Sequence, residues 1–511
     1  MFFTLFLVLY CHKGRKLMLN MVFCFRHLLG NDVKSLISLQ IINAMSKIKF
    51  GTDGWRAIIA EDFTVNNVLR VSEAVSKYVL NQPVKRIVIG HDCRFAGELF
   101  MQNAIRVFVK HGIEVLYAEG FVSTPMVSLA CAKYNAAIGV VLTASHNPPS
   151  YNGYKLKAFY GGPLGPEEIQ LVEDMILDSP ADYSAMTWDE VKAHALVTKV
   201  DLEKDYIDAI RANFDLDAIN NSGLKLAFDA MYGSGQRVIR QVLNNVSEFH
   251  CEPNPSFMGQ APEPIEKNLQ EVSNFLKNNP GYAAALAIDG DADRIGLFNG
   301  KGEFIDSHHI ILLLINYLHK YKGLGGRVVT AFSCTPKVEK MCKIFGLEHE
   351  TVKIGFKYIA GKMVDGDVLL GGEESGGIAI KSHIPERDGI WMGLVIFEYM
   401  AKSGKSLDEL IDEVYALVGG FKFERNDLHI TEALKQEIIA KCEAKAYAQF
   451  GEYNIIRVET IDGFKFFFDD NRWVMIRPSG TEPVLRVYAE APTMDEVRNI
   501  LKQTSDTICN N

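Results

Sequence analysis

Residues 289–294 form the acidic run with the clearest chemical pattern in the chain, Asp-Gly-Asp-Ala-Asp-Arg. Three carboxylates at alternate positions of a glycine-containing loop can converge on one hard divalent cation, and without a counter-ion they would repel one another. An EF-hand is excluded, because Arg294 stands where its sixth residue, Gly, would be and Gly300 where its twelfth, Glu, would be. Two alternatives remain: a phosphatase with an aspartyl nucleophile, which usually has Thr or Val at the position of Asp293, and a solvated acidic loop.

A second polar loop, Thr143–Pro149, reads Thr-Ala-Ser-His-Asn-Pro-Pro and directly follows an apolar run. The two prolines predict a sharp, rigid turn that presents the hydroxyl of Ser145 beside His146. A polar turn that only ends the preceding strand fits the same residues. A Ser-His-Asp hydrolase fits poorly, because the loop has no G-x-S-x-G elbow.

Two further glycine-containing loops carry groups that suit a polar ligand. Residues 371–377, Gly-Gly-Glu-Glu-Ser-Gly-Gly, offer carboxylates and a hydroxyl to a polyol, and Lys357 and Arg387 are nearby sources of positive charge. Residues 477–483, Arg-Pro-Ser-Gly-Thr-Glu-Pro, followed by Arg486, combine the guanidinium, hydroxyl and backbone N–H groups of a phosphate cradle. For each loop, an ordinary turn is the alternative.

The elements that must position these loops alternate between short apolar runs and amphipathic segments, as in a largely parallel sheet covered by helices. The predicted elements are strand 87–92, helix 97–110, strand 113–117, a helix from 124, strands 136–142 and 224–229, helix 236–243, strands 283–288 and 327–332, helix 336–345 and strand 367–370. The rhythm occurs three times, which predicts three successive α/β domains with mixed, largely parallel sheets. Ligands of such sheets gather at the carboxyl ends of strands, where the first three loops stand.

The last hundred residues follow a different pattern. A helix over 432–450, alternating strands near 456–459 and a closing helix over 494–507 predict a smaller α+β domain. Polar or glycine-containing stretches separate the predicted domains, which cover residues 45–195, 196–305, 306–420 and 421–511.

The composition narrows the class of protein. Of the 511 residues, 48% are hydrophobic and 23% charged, which is enough apolar area for several cores. Asp and Glu outnumber Lys and Arg by 63 to 54, and this net charge of −9 disfavours nucleic-acid binding. Nine scattered cysteines without CxxC spacing indicate buried thiols in a reducing compartment.

Residues 1–44 precede the patterned part of the chain. Their apolar run, Phe2–Tyr10, is too short to span a bilayer as a helix. Lys13, Arg15 and Lys16 follow that run instead of preceding it, which fits a secretory signal poorly. We therefore expect an extension outside the fold and no stable membrane association, with a membrane anchor as the alternative.

Taken together and in this order, the four loops resemble those of the α-D-phosphohexomutase superfamily, and the resemblance extends from the Phe-Gly-Thr-Asp-Gly-Trp-Arg segment at 50–56 to the C-terminus. It implies four domains around a central cleft, a phosphoryl group on Ser145, and Mg²⁺ between that group and the acidic loop. The site residues that it implies are Ser145, Asp289, Asp291 and Asp293 for the metal; Lys155 for proton transfer; Arg56, His146 and Arg294 beside the transferred phosphate; Glu374 and Ser375, with Lys357 nearby, for the sugar; and Arg477, Ser479, Gly480, Thr481 and Arg486 for the other phosphate.

These roles carry a physical condition. The metal and the arginines would neutralise charge on the transferred phosphoryl group. Lys155 would act as a base only if burial or neighbouring cations lowered its pKa.

The resemblance implies an intramolecular phosphotransferase that interconverts α-D-glucose 1-phosphate and glucose 6-phosphate through glucose 1,6-bisphosphate. The Glu-Glu-Ser run at 373–375 and Gly355-Phe356 favour the phosphoglucomutase branch, although Gly376-Gly377 replaces the Phe-Gly of the better-known glucose enzymes. Phosphomannomutase and phosphoglucosamine mutase are alternatives on the same scaffold. An aspartyl phosphatase and a non-catalytic sugar-phosphate-binding protein are alternatives of other classes. We expect a cytoplasmic enzyme, either a monomer or a homodimer.

Overall fold

The computed structural model describes residues 48–179, 183, 185–478 and 484–509. Within these ranges the chain forms three α/β units and a C-terminal unit built on an antiparallel sheet, which confirms the predicted fold class. The predicted extension at 1–44 lies outside the described residues, and the predicted domain boundaries stay predictions.

None of the helices in the described ranges combines the length and the apolar character that crossing a bilayer requires.

The first unit is a six-stranded sheet in the order β1-β5-β4-β2-β3-β6. Its elements are β1 (Trp55–Ile58), α1 (Val65–Leu80), β2 (Arg86–His91), α2 (Gly97–Lys110), β3 (Glu114–Phe121), α3 (Thr124–Lys133), β4 (Ile138–Leu142), β5 (Tyr151–Ala158), α4 (Pro166–Asp174), α5 (Trp188–Lys192) and β6 (Val197–Val200). Because β2 and β4 run parallel, their carboxyl ends meet at one edge of the sheet and Asp92 lies beside the Thr143–Pro149 loop. The sheet continues through β6, beyond the predicted boundary at residue 195.

The second unit is a five-stranded sheet in the order β11-β10-β9-β7-β8. Its elements are α6 (Leu202–Asn213), α7 (Leu216–Asn220), β7 (Lys225–Asp229), α8 (Ile239–Val242), β8 (Val246–Phe249), α9 (Gln270–Asn278), β9 (Tyr282–Ile288), β10 (Ile295–Asn299) and β11 (Phe304–Ile305). The acidic loop connects the antiparallel strands β9 and β10. The predicted helix 236–243 is wrong in length, because its first residues form turns, with the Val238 N–H donating to the Gly235 carbonyl at 3.3 Å. Just before these turns, the Ser234 N–H donates to the Gly290 carbonyl of the acidic loop at 2.9 Å.

The third unit is a four-stranded sheet in the order β13-β12-β14-β15. Its elements are α10 (Ser307–Asn316), β12 (Arg327–Ala331), α11 (Lys337–Phe345), β13 (His349–Val352), α12 (Phe356–Asp365), β14 (Val368–Gly372), β15 (Ile378–Ile380), α13 (Gly389–Ser403) and α14 (Leu407–Val418). Helix α10 is buried along its whole length, as its nearly continuous apolar sequence requires. Its Ile311 shares one core with Leu286 of β9 and Leu370 of β14, so the second and third units pack as one body.

The C-terminal unit is a five-stranded sheet in the order β16-β22-β21-β20-β19. Its elements are β16 (Lys422–His429), α15 (Glu432–Glu443), β17 (Gln449–Phe450), β18 (Tyr453–Asn454), β19 (Arg457–Glu459), β20 (Phe464–Phe467), β21 (Trp473–Pro478), β22 (Val484–Ala491) and α16 (Met494–Cys509). The predicted helix 432–450 is wrong at its end. Lys445 adopts a left-handed φ of 53°, and the chain then turns so that Phe450 is fully buried against Phe466.

A buried lysine joins the third unit to the C-terminal unit. Lys465 of β20 donates to the carbonyls of Cys334, at 2.8 Å, and Phe332, at 3.3 Å. Its ammonium lies 3.9 Å from the centre of the Trp473 ring, and burial lowers its pKa to about 8. The residues that follow β12 therefore bond the C-terminal sheet directly.

The start of α13 is packed too closely against the acidic loop to accept a side chain. A Cβ on Gly389 would lie 2.2 Å from the Arg294 carbonyl oxygen, whereas a Cβ on the helical Gly361 would meet nothing within 4 Å. We expect Gly389→Ala to lower the free energy of unfolding by about 1–3 kcal/mol through overpacking. Gly361→Ala should raise it by about 0.4–1 kcal/mol. Urea denaturation would measure both, and a Gly389→Ala midpoint at or above that of Gly361→Ala would contradict the packing.

Candidate active site

The serine loop between β4 and β5 holds Ser145 in an unusual backbone conformation. Ser145 has a left-handed φ of 52°, and its N–H donates to the Thr143 Oγ1 at 2.9 Å. Its side chain is buried, and its Oγ donates to the Asp289 Oδ2 at 2.7 Å. The His146 Nδ1 lies 3.3 Å from the same Oγ. The loop therefore points the serine hydroxyl at the acidic loop, as the sequence predicts.

The three aspartates of the acidic loop form a compact cluster in which two carboxylate oxygens have no hydrogen-bond partner in the part of the chain that the structure describes. Asp289, Asp291 and Asp293 are fully buried, and their carboxylate oxygens lie within 4.8 Å of one another. The Oδ1 atoms of Asp291 and Asp293 have no hydrogen-bond partner among the described residues. Buried carboxylate oxygens without donors fit a hard cation such as Mg²⁺. The three residues present therefore suit the metal that the sequence predicts.

Neighbouring groups divide the charge within this cluster unevenly. Burial and the adjacent Asp291 and Asp293 raise the pKa of Asp289 well above its ordinary value. Burial alone would also raise the pKa of Asp291, but Lys155 and the Thr124 hydroxyl outweigh it and lower that pKa. The pKa of Asp289 is thus raised and that of Asp291 is lowered, and Asp289 is the one that contacts the serine.

Lys155, on β5, is the cation at the centre of the cluster. Its Nζ lies 2.7 Å from an oxygen of Asp291, 2.7 Å from one of Asp293 and 2.8 Å from one of Asp53. Burial lowers the pKa of Lys155, but the three carboxylates outweigh it and the pKa lies above the ordinary value. In this arrangement the carboxylates thus favour the ammonium form of Lys155, and its part in proton transfer stays a prediction.

Four charged residues that the sequence analysis did not assign to this cluster extend it across the first and third units. Asp53 contacts Lys157 at 3.2 Å and also pairs with Arg387. Lys157 pairs with Glu386 at 2.8 Å, and Arg387 with Asp293 at 2.6 Å. Burial raises the pKa of Asp53, but Lys155, Lys157 and Arg387 hold it well below its usual range. The position of Asp53 three residues before Arg56 was the only sequence signal for it.

The residues predicted beside the transferred phosphate surround the serine. The Arg56 Nη1 donates to the Asn147 Oδ1 at 2.7 Å, and the Arg294 N–H donates to the Asp289 Oδ1 at 3.0 Å. Burial, followed by Arg294 and Arg56, holds the pKa of His146 well below its usual value. The His146 imidazole therefore lies beside the Ser145 hydroxyl, whereas the Arg56 guanidinium bonds the nearby Asn147 and the Arg294 Nη1 lies 3.6 Å from the Glu263 Oε1.

The predicted sugar loop follows β14 and presents two carboxylates to different neighbours. Glu374 accepts a hydrogen bond from the Ser333 hydroxyl and is partly exposed, as is Ser375. Glu373, a carboxylate of this loop that was not among the implied sugar-binding residues, is buried and accepts the Gly355 N–H at 3.0 Å. Burial raises its pKa to about 7 despite Arg387.

Lys357 is the second residue of α12, and its Nζ lies 5.5 Å from the centre of the Tyr358 ring.

The predicted phosphate cradle is described only in part. Arg477 of β21 and Arg486 of β22 are direct partners across the antiparallel pair, so their side chains share one face of the sheet. Arg425 of β16, which the sequence analysis missed, faces Tyr488 two positions further along the same face. Ser479, Gly480 and Thr481 lie outside the described residues.

Comparison with known proteins identifies the group to which these features belong. Four family models match the chain in order: phosphoglucomutase/phosphomannomutase alpha/beta/alpha domain I at residues 47–181, domain II at 204–302, domain III at 306–418, and the C-terminal domain at 431–507. The chain belongs to the phosphoglucomutase/phosphomannomutase family. Its members are phosphotransferase isomerases, and the resemblance seen in the sequence is confirmed.

The relatives of this chain are mutases that are named for different sugars. The chain is 31% identical over 459 residues to a phosphoglucomutase/phosphomannomutase of Thermococcus kodakarensis, covering 89% of this chain and 96% of that protein. It is 30% identical over 436 residues to a phosphoglucosamine mutase of Methanococcus maripaludis, covering 83% and 92%. A crystal structure from Thermus thermophilus, provisionally named phosphomannomutase, matches with a TM-score of 0.80 and 32% identity, covering 91% and 99%.

The carboxylate cluster predicts a measurable Mg²⁺ site. We expect Asp291→Asn to weaken Mg²⁺ binding by at least about tenfold, since loss of even a supporting partner of a ligand costs that much. Isothermal titration with MgCl₂ measures the affinity without any assay of turnover. Asp229→Asn is the matched control, because Asp229 is equally buried at the end of β7 but bonds Met231 and His250 instead. Equal Mg²⁺ affinities for the two variants would contradict the site.

Proposed function

We propose that this member of the family is a phosphohexomutase that moves a phosphoryl group between the C1 and C6 oxygens of an α-D-hexose phosphate by way of phosphorylated Ser145. The observation that carries the proposal is the 2.7 Å hydrogen bond from the Ser145 Oγ to Asp289. It places a nucleophilic hydroxyl at the edge of a carboxylate cluster that suits Mg²⁺.

In the proposed transfer, the bond between phosphorus and the Ser145 Oγ breaks, and a bond from phosphorus to a sugar hydroxyl oxygen forms. The proton released by the sugar hydroxyl ends on the departing Ser145 Oγ, and the serine hydroxyl so formed donates a hydrogen bond to the Asp289 Oδ2. Arg56, Arg294 and the Lys155 ammonium compensate the negative charge as it moves between the two oxygens. When bound at the three aspartates, Mg²⁺ would add to this neutralisation.

The product of the first transfer is a hexose bisphosphate, which is glucose 1,6-bisphosphate when the sugar is glucose. It must present its other phosphate to Ser145 to complete the isomerisation. The phosphate far from the serine then needs cations in both orientations of the sugar. Arg477 and Arg486 lie together on the C-terminal sheet, and we propose that they hold this phosphate together with Ser479, Gly480 and Thr481.

For the sugar, we propose α-D-glucose phosphates first and mannose phosphates second, bound through Glu374 and Ser375. The Glu-Glu-Ser run of the sugar loop supports glucose, and the name of the Thermococcus relative supports both. The Methanococcus relative supports glucosamine phosphates as the competing candidate.

Replacement of the nucleophile separates the mutase from the alternatives. Ser145→Ala should lower kcat by at least about 10³-fold, because the covalent route is then lost. Ser150→Ala, in the same loop but exposed, should stay within about threefold of the wild type, as for other exposed sites. A coupled assay of glucose 6-phosphate formation and intact-mass measurement of the phosphoenzyme would follow both. Activity retained by Ser145→Ala with release of inorganic phosphate would instead indicate an aspartyl phosphatase.

The proposed order of sugars is tested by measuring kcat/KM for each sugar phosphate separately. The wild-type chain is incubated with glucose, mannose or glucosamine 1-phosphate, Mg²⁺ and a trace of the matching 1,6-bisphosphate. We expect the ratio of kcat/KM to favour glucose over glucosamine by at least about tenfold, the discrimination that one altered polar contact supplies. A ratio that favours glucosamine would overturn the sugar assignment and leave the mutase assignment intact. No product from any of the three sugars would overturn both.

A further inference from the structure

Arg94, in the loop after β2, lies beneath the serine loop and bonds its backbone at four places. Its Nη1 donates to the carbonyls of Pro148 at 2.8 Å and Tyr151 at 3.0 Å. Its Nη2 donates to the carbonyls of Ser145 at 2.7 Å and Asn147 at 2.6 Å. The side chain is fully shielded from solvent. One guanidinium group thus fixes both ends and the middle of the loop.

Asp92 and Phe257 hold Arg94 itself in place. Its Nε lies 3.2 Å from the Asp92 Oδ2, and its N–H donates to the Asp92 Oδ1 at 2.8 Å. Asp92 also accepts the hydroxyl of Thr143, the same hydroxyl that accepts the Ser145 N–H. The ring of Phe257, from the second unit, lies with its centre 5.0 Å from the guanidinium carbon. A rigid, buried fork of donors therefore forms the floor of the loop.

This floor acts on the residue that carries the reacting oxygen. A left-handed φ is uncommon for a residue with a side chain, so Ser145 keeps its φ of 52° only because neighbouring groups hold it. Thr143 holds its N–H and Arg94 holds its carbonyl. Since the peptide is planar and trans, the His146 N–H points away from Arg94, opposite to that carbonyl. Gly290 of the acidic loop packs against the same carbonyl so closely that a Cβ there would lie 2.6 Å from its oxygen.

We propose that Arg94 is a positioning residue for phosphoryl transfer, which holds Ser145 in its left-handed conformation and so aligns its Oγ with the aspartate cluster. The inference rests on the proposed function. Arg94 does not touch the hydroxyl, and it acts through the backbone of the loop alone. Misplacement of a reacting group by about 1 Å can cost about 10²-fold in rate.

The test compares Arg94 with an arginine of equal burial that bonds backbone away from the site. Arg70 of α1 donates to the Leu177 carbonyl at 2.6 Å and to the Asn67 side chain at 2.9 Å. Arg94→Ala should lower kcat by at least about 10²-fold with KM within about threefold, and added guanidinium chloride at sub-denaturing concentration should restore at least about tenfold. Arg70→Ala should lower the unfolding midpoint, keep kcat within about threefold and show no rescue.

Arg94→Lys provides a second variant that keeps the charge and loses the fork, so it should fold if the alanine variant does not. It should lower kcat by about 10-fold to 10²-fold. Amide hydrogen exchange should become faster in the peptide over residues 144–152 and stay unchanged elsewhere in the first unit. A kcat for Arg94→Lys within about threefold of the wild type, or equal guanidinium rescue of Arg70→Ala, overturns the inference about Arg94. An inactive wild type with the same local change in exchange overturns the proposed function instead.

Discussion

The site depends on keeping three aspartates together in a place that water does not reach. Carboxylates this close and this buried repel one another, and their charge must be offset by cations that the fold brings to them. Lys155 bridges two of them, and Arg387 of the third unit pairs with Asp293. Asp53 contacts all three of Lys155, Lys157 and Arg387 and so links these cations to one another. The result is an alternating network of charges in which each member is costly to bury alone.

This network also explains why the first three units meet where they do. Asp53, Lys155 and Lys157 come from the first unit, the aspartates from the second, and Glu386 and Arg387 from the third. A unit that moved away would leave its buried partners uncompensated. The electrostatic requirement of the site and the packing of the domains are therefore one constraint, and the shared core of the second and third units supports it with apolar area.

The sequence was informative where chemistry is local. Asp289, Asp291 and Asp293 stand at alternate positions of one loop, and Ser145 stands between Thr143 and His146, so their types and spacing indicate the site directly. Asp53, Arg387 and Arg94 bond partners that are distant in sequence, so their place in the aspartate cluster and beneath the serine loop does not follow from their spacing. The sequence alone also cannot predict whether the pKa of Lys155 is raised or lowered, because that depends on carboxylates from other loops.

The predicted bounds of two helices, 432–450 and 236–243, were wrong because tertiary contacts override local spacing. The apolar and polar spacing of 432–450 is compatible with one helix, but the burial of Phe450 against the C-terminal sheet is a tertiary contact that overrides it. The segment before α8 has helical spacing as well, yet the Gln236 and Val238 N–H groups close turns three residues back, next to the Ser234 N–H that bonds the acidic loop. Local preference is a weak prior wherever a site draws backbone groups to itself.

Residues 332–334 at the end of β12 face two ways. The carbonyls of Phe332 and Cys334 receive the ammonium of Lys465 from the C-terminal sheet, while the hydroxyl of Ser333 between them bonds Glu374 of the sugar loop. Because the same three residues make both contacts, a displacement of the C-terminal sheet also displaces the hydroxyl that bonds Glu374, and a displacement of that loop acts on the C-terminal sheet in the same way. Under the proposed function, the groups that hold the far phosphate and those that hold the sugar ring are therefore mechanically linked, and we expect substitutions on β20 to alter selectivity for the ring without contacting it.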